Sequence, residues 1–130
     1  MIALDTNIII RLIAGEDHAQ ERAVLRLLAE PSAVFFISDV TLAESAWVLG
    51  SLYGFSRDEL VAAIEALASR TDLVFEDRVR IRRAITHLQA GGDLTDLLIL
   101  ARAQAAGCSA LASFDKGLKK KFPDFVLGPK

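Results

Sequence analysis

MIALDTNIIIRL, residues 1–12, sets a four-residue apolar run against the polar triplet Asp5-Thr6-Asn7 and then resumes as an apolar stretch. An apolar run that stops so abruptly reads as a strand, Met1–Leu4, with Asp5 at its carboxyl end. Ile8–Ala14 reads as a short helix. The same order returns at residues 110–125, ALASFDKGLKKKFPDF, as a strand over Ala110–Phe114, then Asp115, then a short helix over Lys116–Phe122. Phe125–Leu127 follows Pro123 as an edge strand.

Between these two ends, strands at Val34–Ile37 and Leu73–Phe75 alternate with helical patterns. Asp17 can cap a helix running through Leu25, Leu27 and Leu28 to Pro31, and Ser38-Asp39 can start one reaching the Gly50 region. Ser56 and Glu59 have capping-box spacing. Asp77–Gln89 is a basic amphipathic helix ending at Gly91-Gly92, and Thr95 can cap a helix running to Gly107. Parallel neighbours need crossover connections, so this alternation predicts an α/β fold of three α/β/α layers around a mostly parallel central sheet of four to five strands. Residues 1–130 form one domain on this reading. Ligands of such sheets bind beyond the carboxyl ends of the strands, and Asp5 and Asp115 are both delivered to that edge.

With 17 acidic and 15 basic residues the net charge is −2, so a nucleic-acid partner must be held by a local patch rather than by overall attraction. The single cysteine, Cys108, excludes an intramolecular disulfide and reads as a reduced core residue. The opening residues lack the parts of a signal peptide, and no apolar run reaches the ~18 residues of a membrane span. A cytoplasmic protein with no membrane association is expected.

Two more acids stand out. Glu44 falls on a helix whose apolar stripe includes Val40, Ala43, Trp47 and Val48, which predicts a carboxylate that faces inward or skirts the core. Asp96 begins a strongly apolar helix carrying Leu100 and Ala103. Singly, each acid has an ordinary reading: a helix-dipole partner, a salt bridge, a turn or a cap. Jointly, Asp5, Glu44, Asp96 and Asp115 would form a negative pocket whose repulsion requires cations, and all-oxygen ligation suits Mg²⁺ or Mn²⁺.

Four blocks, LDTNIIIRL, TLAESAWVL, DLTDLLILARAQAAGC and ALASFDKGLKKKF, together resemble the PIN-domain nucleases, and among them the small VapC-like toxins of type II toxin–antitoxin pairs. The resemblance covers almost the whole chain. It implies a catalytic and metal-binding quartet of Asp5, Glu44, Asp96 and Asp115. Asp93, three residues before Asp96, is either the third ligand or an auxiliary acid; Asp96 is preferred because an apolar helix follows it. Asn7 and Ser113 match small polar positions that would orient the carboxylates, although a helix cap and a strand end explain them equally well.

The resemblance further implies an endoribonuclease that hydrolyses phosphodiesters by metal-activated water, with one or two ions, an RNA substrate, a cognate antitoxin and a homodimeric state. Lys116 and Arg11 are candidate phosphate contacts. Lys116, Lys119, Lys120 and Lys121, beside Asp115, offer phosphate contacts, Lys116 above all, with a solvated face as the competing reading; for Arg78, Arg80, Arg82 and Arg83 the solvated face is preferred. Ile8–Leu12, Leu49 and Leu52 offer apolar surface for an antitoxin, or core. His18 and His87 read as surface histidines. The competing reading is a catalytically inactive PIN-like module that binds RNA or protein. An aspartate-based phosphatase is disfavoured because Asp5 lacks a second acid two residues on.

Overall fold

The computed structural model describes residues 1–15 and 19–129. Three short parallel strands, β1 (Ile2–Ala3), β2 (Phe35–Ile37) and β3 (Leu73–Phe75), form one ladder with β2 in the middle. Ile2 pairs with Phe35, and Phe35 with Leu73. β2 is central because both Phe35 and Ile37 are fully buried, while β3 alternates buried Leu73 and Phe75 with exposed Val74. A second parallel ladder joins β4 (Leu111–Ala112) to β5 (Val126–Leu127). The α/β class and the parallel strands agree with the sequence reading; the expected single sheet is divided into two ladders.

Seven helices are described: α1 (Thr6–Ala14), α2 (Ala19–Leu28), α3 (Asp39–Ser51), α4 (Arg57–Ala68), α5 (Arg78–Gln89), α6 (Leu94–Ala105) and α7 (Lys116–Lys121). Helix α1 packs on α2 and α3, α4 on α5, and α5 on α6. The expected cap Asp17 and His18 lie outside the described residues. The main core gathers Leu4, Ile9, Phe35, Ile37, Leu42 and Leu97 with their neighbours. A smaller cluster of Leu100, Leu118 and Val126 holds α7 and β5 to the middle of α6. Among the described residues no helix is long and apolar enough to cross a membrane.

Local chemistry sets the helix ends. Gly107, at φ +86°, closes α6 in a left-handed turn: the Cys108 N–H donates to Ala103 and the Gly107 N–H to Gln104, both at 3.0 Å. Helix α4 has the expected capping box, since the Glu59 N–H donates to Ser56 Oγ and the Ser56 N–H to Glu59 Oε1, each at 3.1 Å. Replacing Ser56 by Ala removes one of these bonds and is expected to cost about 1 kcal/mol in chemical denaturation, against no change if the exposed cap were idle.

Three expectations are corrected. The apolar stripe through α3 does not face inward: Val40 is 69% exposed and Trp47 62%, and the buried positions are Asp39, Leu42, Ser45 and Leu49. Cys108 is exposed rather than in the core. Ile9, Ile10 and Leu49 are buried and Ile8 and Leu12 pack against the core, so of the apolar residues considered for an antitoxin face only Leu52 is left well exposed.

Candidate active site

Three of the acids are helix N-caps, which explains why they collect where helices begin. Asp5 Oδ1 accepts the Ile8 N–H at 3.1 Å, and Asp115 Oδ1 accepts the Leu118 N–H at 3.0 Å. Asp93, rather than the expected Thr95, caps α6 by accepting the N–H groups of Thr95 at 2.7 Å and Asp96 at 3.3 Å. A capping carboxylate sits at the positive end of its helix and spends one oxygen on the backbone. Ser113 Oγ accepts the Asp115 N–H at 3.0 Å and so fixes the turn that presents this acid. Asn7 is exposed in the first turn of α1.

Asp93, Asp96 and Asp115 line one open cavity of about 510 Å³. Half-burial raises the Asp96 carboxyl above its ordinary range, and the negative charges of Asp93 and Asp115 push it further the same way. Glu44 is exposed, against the inward orientation expected, and lines an adjoining groove of about 440 Å³ that shares Trp47 and Thr95 with the cavity. Asp5 lines neither space. The structure therefore brings together Asp93, Asp96 and Asp115, sets Glu44 next door, and leaves Asp5 at the end of β1.

None of these five acids forms an ion pair with a lysine or arginine among the described residues. Their oxygen-only chemistry and the mutual repulsion at Asp96 fit a hard divalent cation. No three His, Cys, Asp or Glu side chains among the described residues are close enough to make a ready metal cage. The donor set is suited to such an ion but is spread open.

Arg57 and His87 were not assigned to the site from the sequence, and Lys121 entered only as one of four clustered lysines. Lys121, not Lys116, is the lysine that lines the cavity, together with Arg57. His87 is not a free surface histidine. It also lines the cavity, packed so closely on Gly92 that a Cβ there would lie 2.0 Å from Nε2, with the Phe122 ring centroid 5.5 Å away. Burial lowers its pKa, assisted by Lys121 and opposed by Asp96 and Asp93. Arg11 is engaged with Gln20 Oε1 at 3.0 Å and the Tyr53 hydroxyl at 3.2 Å.

The arginine helix is only partly a solvated face. Arg78 donates to the carbonyls of Ala68, Arg70 and Leu73 and lies over the Phe75 ring. Arg80 meets the most buried acid among the described residues, Asp39, at 2.5 Å, and Arg102 reaches the same Oδ2 at 3.3 Å. Glu76 accepts from the Asp39 N–H at 2.9 Å and from Arg102 at 2.5 Å; those two bonds, the backbone one first, lower its pKa against the effect of burial. Asp39 lies just past β2, after Ser38, and Glu76 directly follows β3, so these strand ends carry ion-paired acids. Both were invisible as a pair because Asp39 and Arg80 are 41 positions apart.

Residues 2–121 match the family model described as PIN domain. Neither a curated protein nor a solved structure matches the chain at a significant level.

Proposed function

The chain belongs to the PIN-domain family, whose members are typically metal-dependent nucleases, and on that premise we propose that it is a Mg²⁺- or Mn²⁺-dependent endoribonuclease, the toxin of a toxin–antitoxin pair. The observation that carries this reading is the cluster of unpaired acids, with Asp96 held against the charges of Asp93 and Asp115. Asp5, Glu44, Asp93 and Asp115 are solvated, so the weight falls on Asp96. It is partly buried beside two like charges and, unlike Asp39, has no ion-pair partner among the described residues, an arrangement that a cation would relieve. Asp96 and Asp115 would hold it, with Asp5 and Glu44 completing the set and Asp93 assisting. A bound divalent ion would supply a more acidic water and neutralise charge developing on the phosphodiester.

The chain's own residues do the rest. The caps of α1 and α7 orient Asp5 and Asp115, and the Ser113 hydroxyl steadies the Asp115 turn. Lys121 and Arg57 would bind backbone phosphate at the cavity, with Lys116 and Arg11 as outlying contacts. We place the protein in the cytoplasm, with an antitoxin and a second copy of the chain as its protein partners.

The test is cleavage of structured RNAs with Mg²⁺ or Mn²⁺. Cleavage that stops on chelation, together with Mn²⁺ affinity reduced about tenfold or more by Glu44→Gln in calorimetry, is the expected result. The open donor set favours one alternative, an inactive PIN-like binding module, and RNA that is bound but never cut would establish it. Unchanged Mn²⁺ binding by Glu44→Gln would remove that residue from the ligand set.

A further inference from the structure

Only Gly91 and Gly92 stand between the C-cap of α5, Ala90, and the N-cap of α6, Asp93. Gly91, at φ +97°, turns the chain: its N–H donates to the Leu88 carbonyl at 3.2 Å and the Gly92 N–H to the His87 carbonyl at 2.9 Å, the closure that a left-handed glycine gives a helix. The next residue is Asp93, which collects the Thr95 and Asp96 N–H groups at 2.7 and 3.3 Å. The start of α6, and with it the place of Asp96 in the cavity, therefore depends on two residues that have no side chains of their own to hold them.

The hold comes from another helix. Arg57, the first residue of α4, donates through Nη1 to the Leu88 carbonyl at 2.8 Å and to the Gly92 carbonyl at 2.5 Å, across 31 and 35 positions. A charged donor makes stronger bonds than a neutral one, and a cation at the C-terminal end of α5 is favoured by the helix dipole. The Ser56 capping box fixes the turn from which Arg57 reaches out. Gly92 is buried, and the His87 ring takes the place where a side chain at residue 92 would stand, since a Cβ there would lie 2.0 Å from Nε2. Arg57 forms no ion pair among the described residues, so no acid draws its guanidinium away from the two carbonyls.

We infer that Arg57 is a positioning residue for the metal-binding acids: by gripping Gly92 it fixes the turn between α5 and α6, and through that turn the Asp93 cap and Asp96 relative to Asp115. The inference rests on the reading of Asp96 as a metal ligand. It is separate from a phosphate contact by the remaining guanidinium nitrogens, because a contact of that kind acts on RNA and not on the metal. The two roles also differ in sign. A cation that is merely nearby repels Mn²⁺, so its removal tightens metal binding, whereas removal of a residue that places the ligands weakens it.

Mn²⁺ affinity of the whole chain is measured by calorimetry without RNA for the parent, Arg57→Met and Arg57→Lys, and amide hydrogen exchange is followed in the metal-free proteins. Arg57→Met is expected to bind Mn²⁺ about 10- to 100-fold more weakly and to exchange the Thr95 and Asp96 amides faster, with Phe35–Ile37 at the parent's rate. Arg57→Lys, which keeps a charged donor, should recover most of both. Equal or tighter Mn²⁺ binding by Arg57→Met, or unchanged exchange at Thr95 and Asp96, overturns the inference and leaves the metal reading in place. Faster exchange throughout, Phe35–Ile37 included, also overturns it, because Arg57 then supports the whole fold and not this turn. A parent that binds no Mn²⁺ overturns both.

Discussion

An Asp96→Asn variant is expected to lose at least about 100-fold in RNA cleavage while unfolding at a higher temperature than the parent at neutral pH. The first effect follows if Asp96 is the charged metal ligand proposed above, a loss of the size seen when one such electrostatic group is deleted. The second follows from the sign of its titration. Burial, then Asp93 and Asp115, raise the folded-state pKa of Asp96, so the folded protein binds that proton more tightly than the unfolded chain does. Ionised Asp96 therefore subtracts stability above its folded pKa, and the penalty fades as pH falls through that value. Asn carries no charge and escapes it. The gain in melting temperature should be largest at neutral pH, shrink on acidification, and reverse with saturating Mn²⁺, which binds only where the acid remains. Melting curves from pH 4 to 8 with and without Mn²⁺ check this; a variant less stable than the parent at neutral pH without metal would show that the acids are not in net repulsion.

The opposite behaviour is expected at Asp39. Its side chain is 2% exposed and faces Arg80, itself 14% exposed, with Arg102 as a second partner. Asp39→Ala leaves a largely buried guanidinium without its carboxylate, which typically costs about 3–5 kcal/mol. The loss should be read by urea denaturation. Adding Arg80→Ala should restore part of it, because the stranded charge is then gone, so the double variant is expected to be less destabilised than the sum of the two single ones. Strict additivity would show that the pair is not coupled. One Asp39 oxygen, Oδ1, is buried without a hydrogen bond among the described residues, so the pair is not a fully satisfied network. Two sets of acids thus obey different rules: Asp39 and Glu76 are ion-paired, whereas Asp93, Asp96 and Asp115 have no ion pair among the described residues.

What could be read from the chain, and what could not, divides along physical lines. The strands, the capping box at Ser56 and the acids at the ends of β1 and β4 follow from short-range signals: an apolar run, a polar stop, a spacing of three. Helix α3 was misread because apolar residues surround it. Val40, Leu42, Ala43, Trp47, Val48 and Leu49 leave no single stripe, so periodicity does not choose a face, and packing buries Asp39 and Ser45 instead. Ser45 can be inside because its hydroxyl donates to the Thr41 carbonyl at 2.7 Å. The cap of α6 was misplaced by two residues because Asp93 and Thr95 are both acceptable caps and only backbone geometry selects between them. Nothing local marks Trp47 and His87 as cavity residues, and Lys121 stands out only as one of a lysine cluster; the three line one cavity from α3, α5 and α7, across gaps of 40 and 34 positions.

The two hydrophobic clusters differ greatly in size, and the cleft is mounted on both. Asp96 stands on a helix anchored in the large core, while Asp115 rides on a segment moored mainly through Leu100, Leu118 and Val126. A small anchorage gives way before a large one. The Asp115 side is accordingly expected to loosen first, exchanging its amide hydrogens sooner than the Asp96 side while Phe35 and its neighbours stay packed.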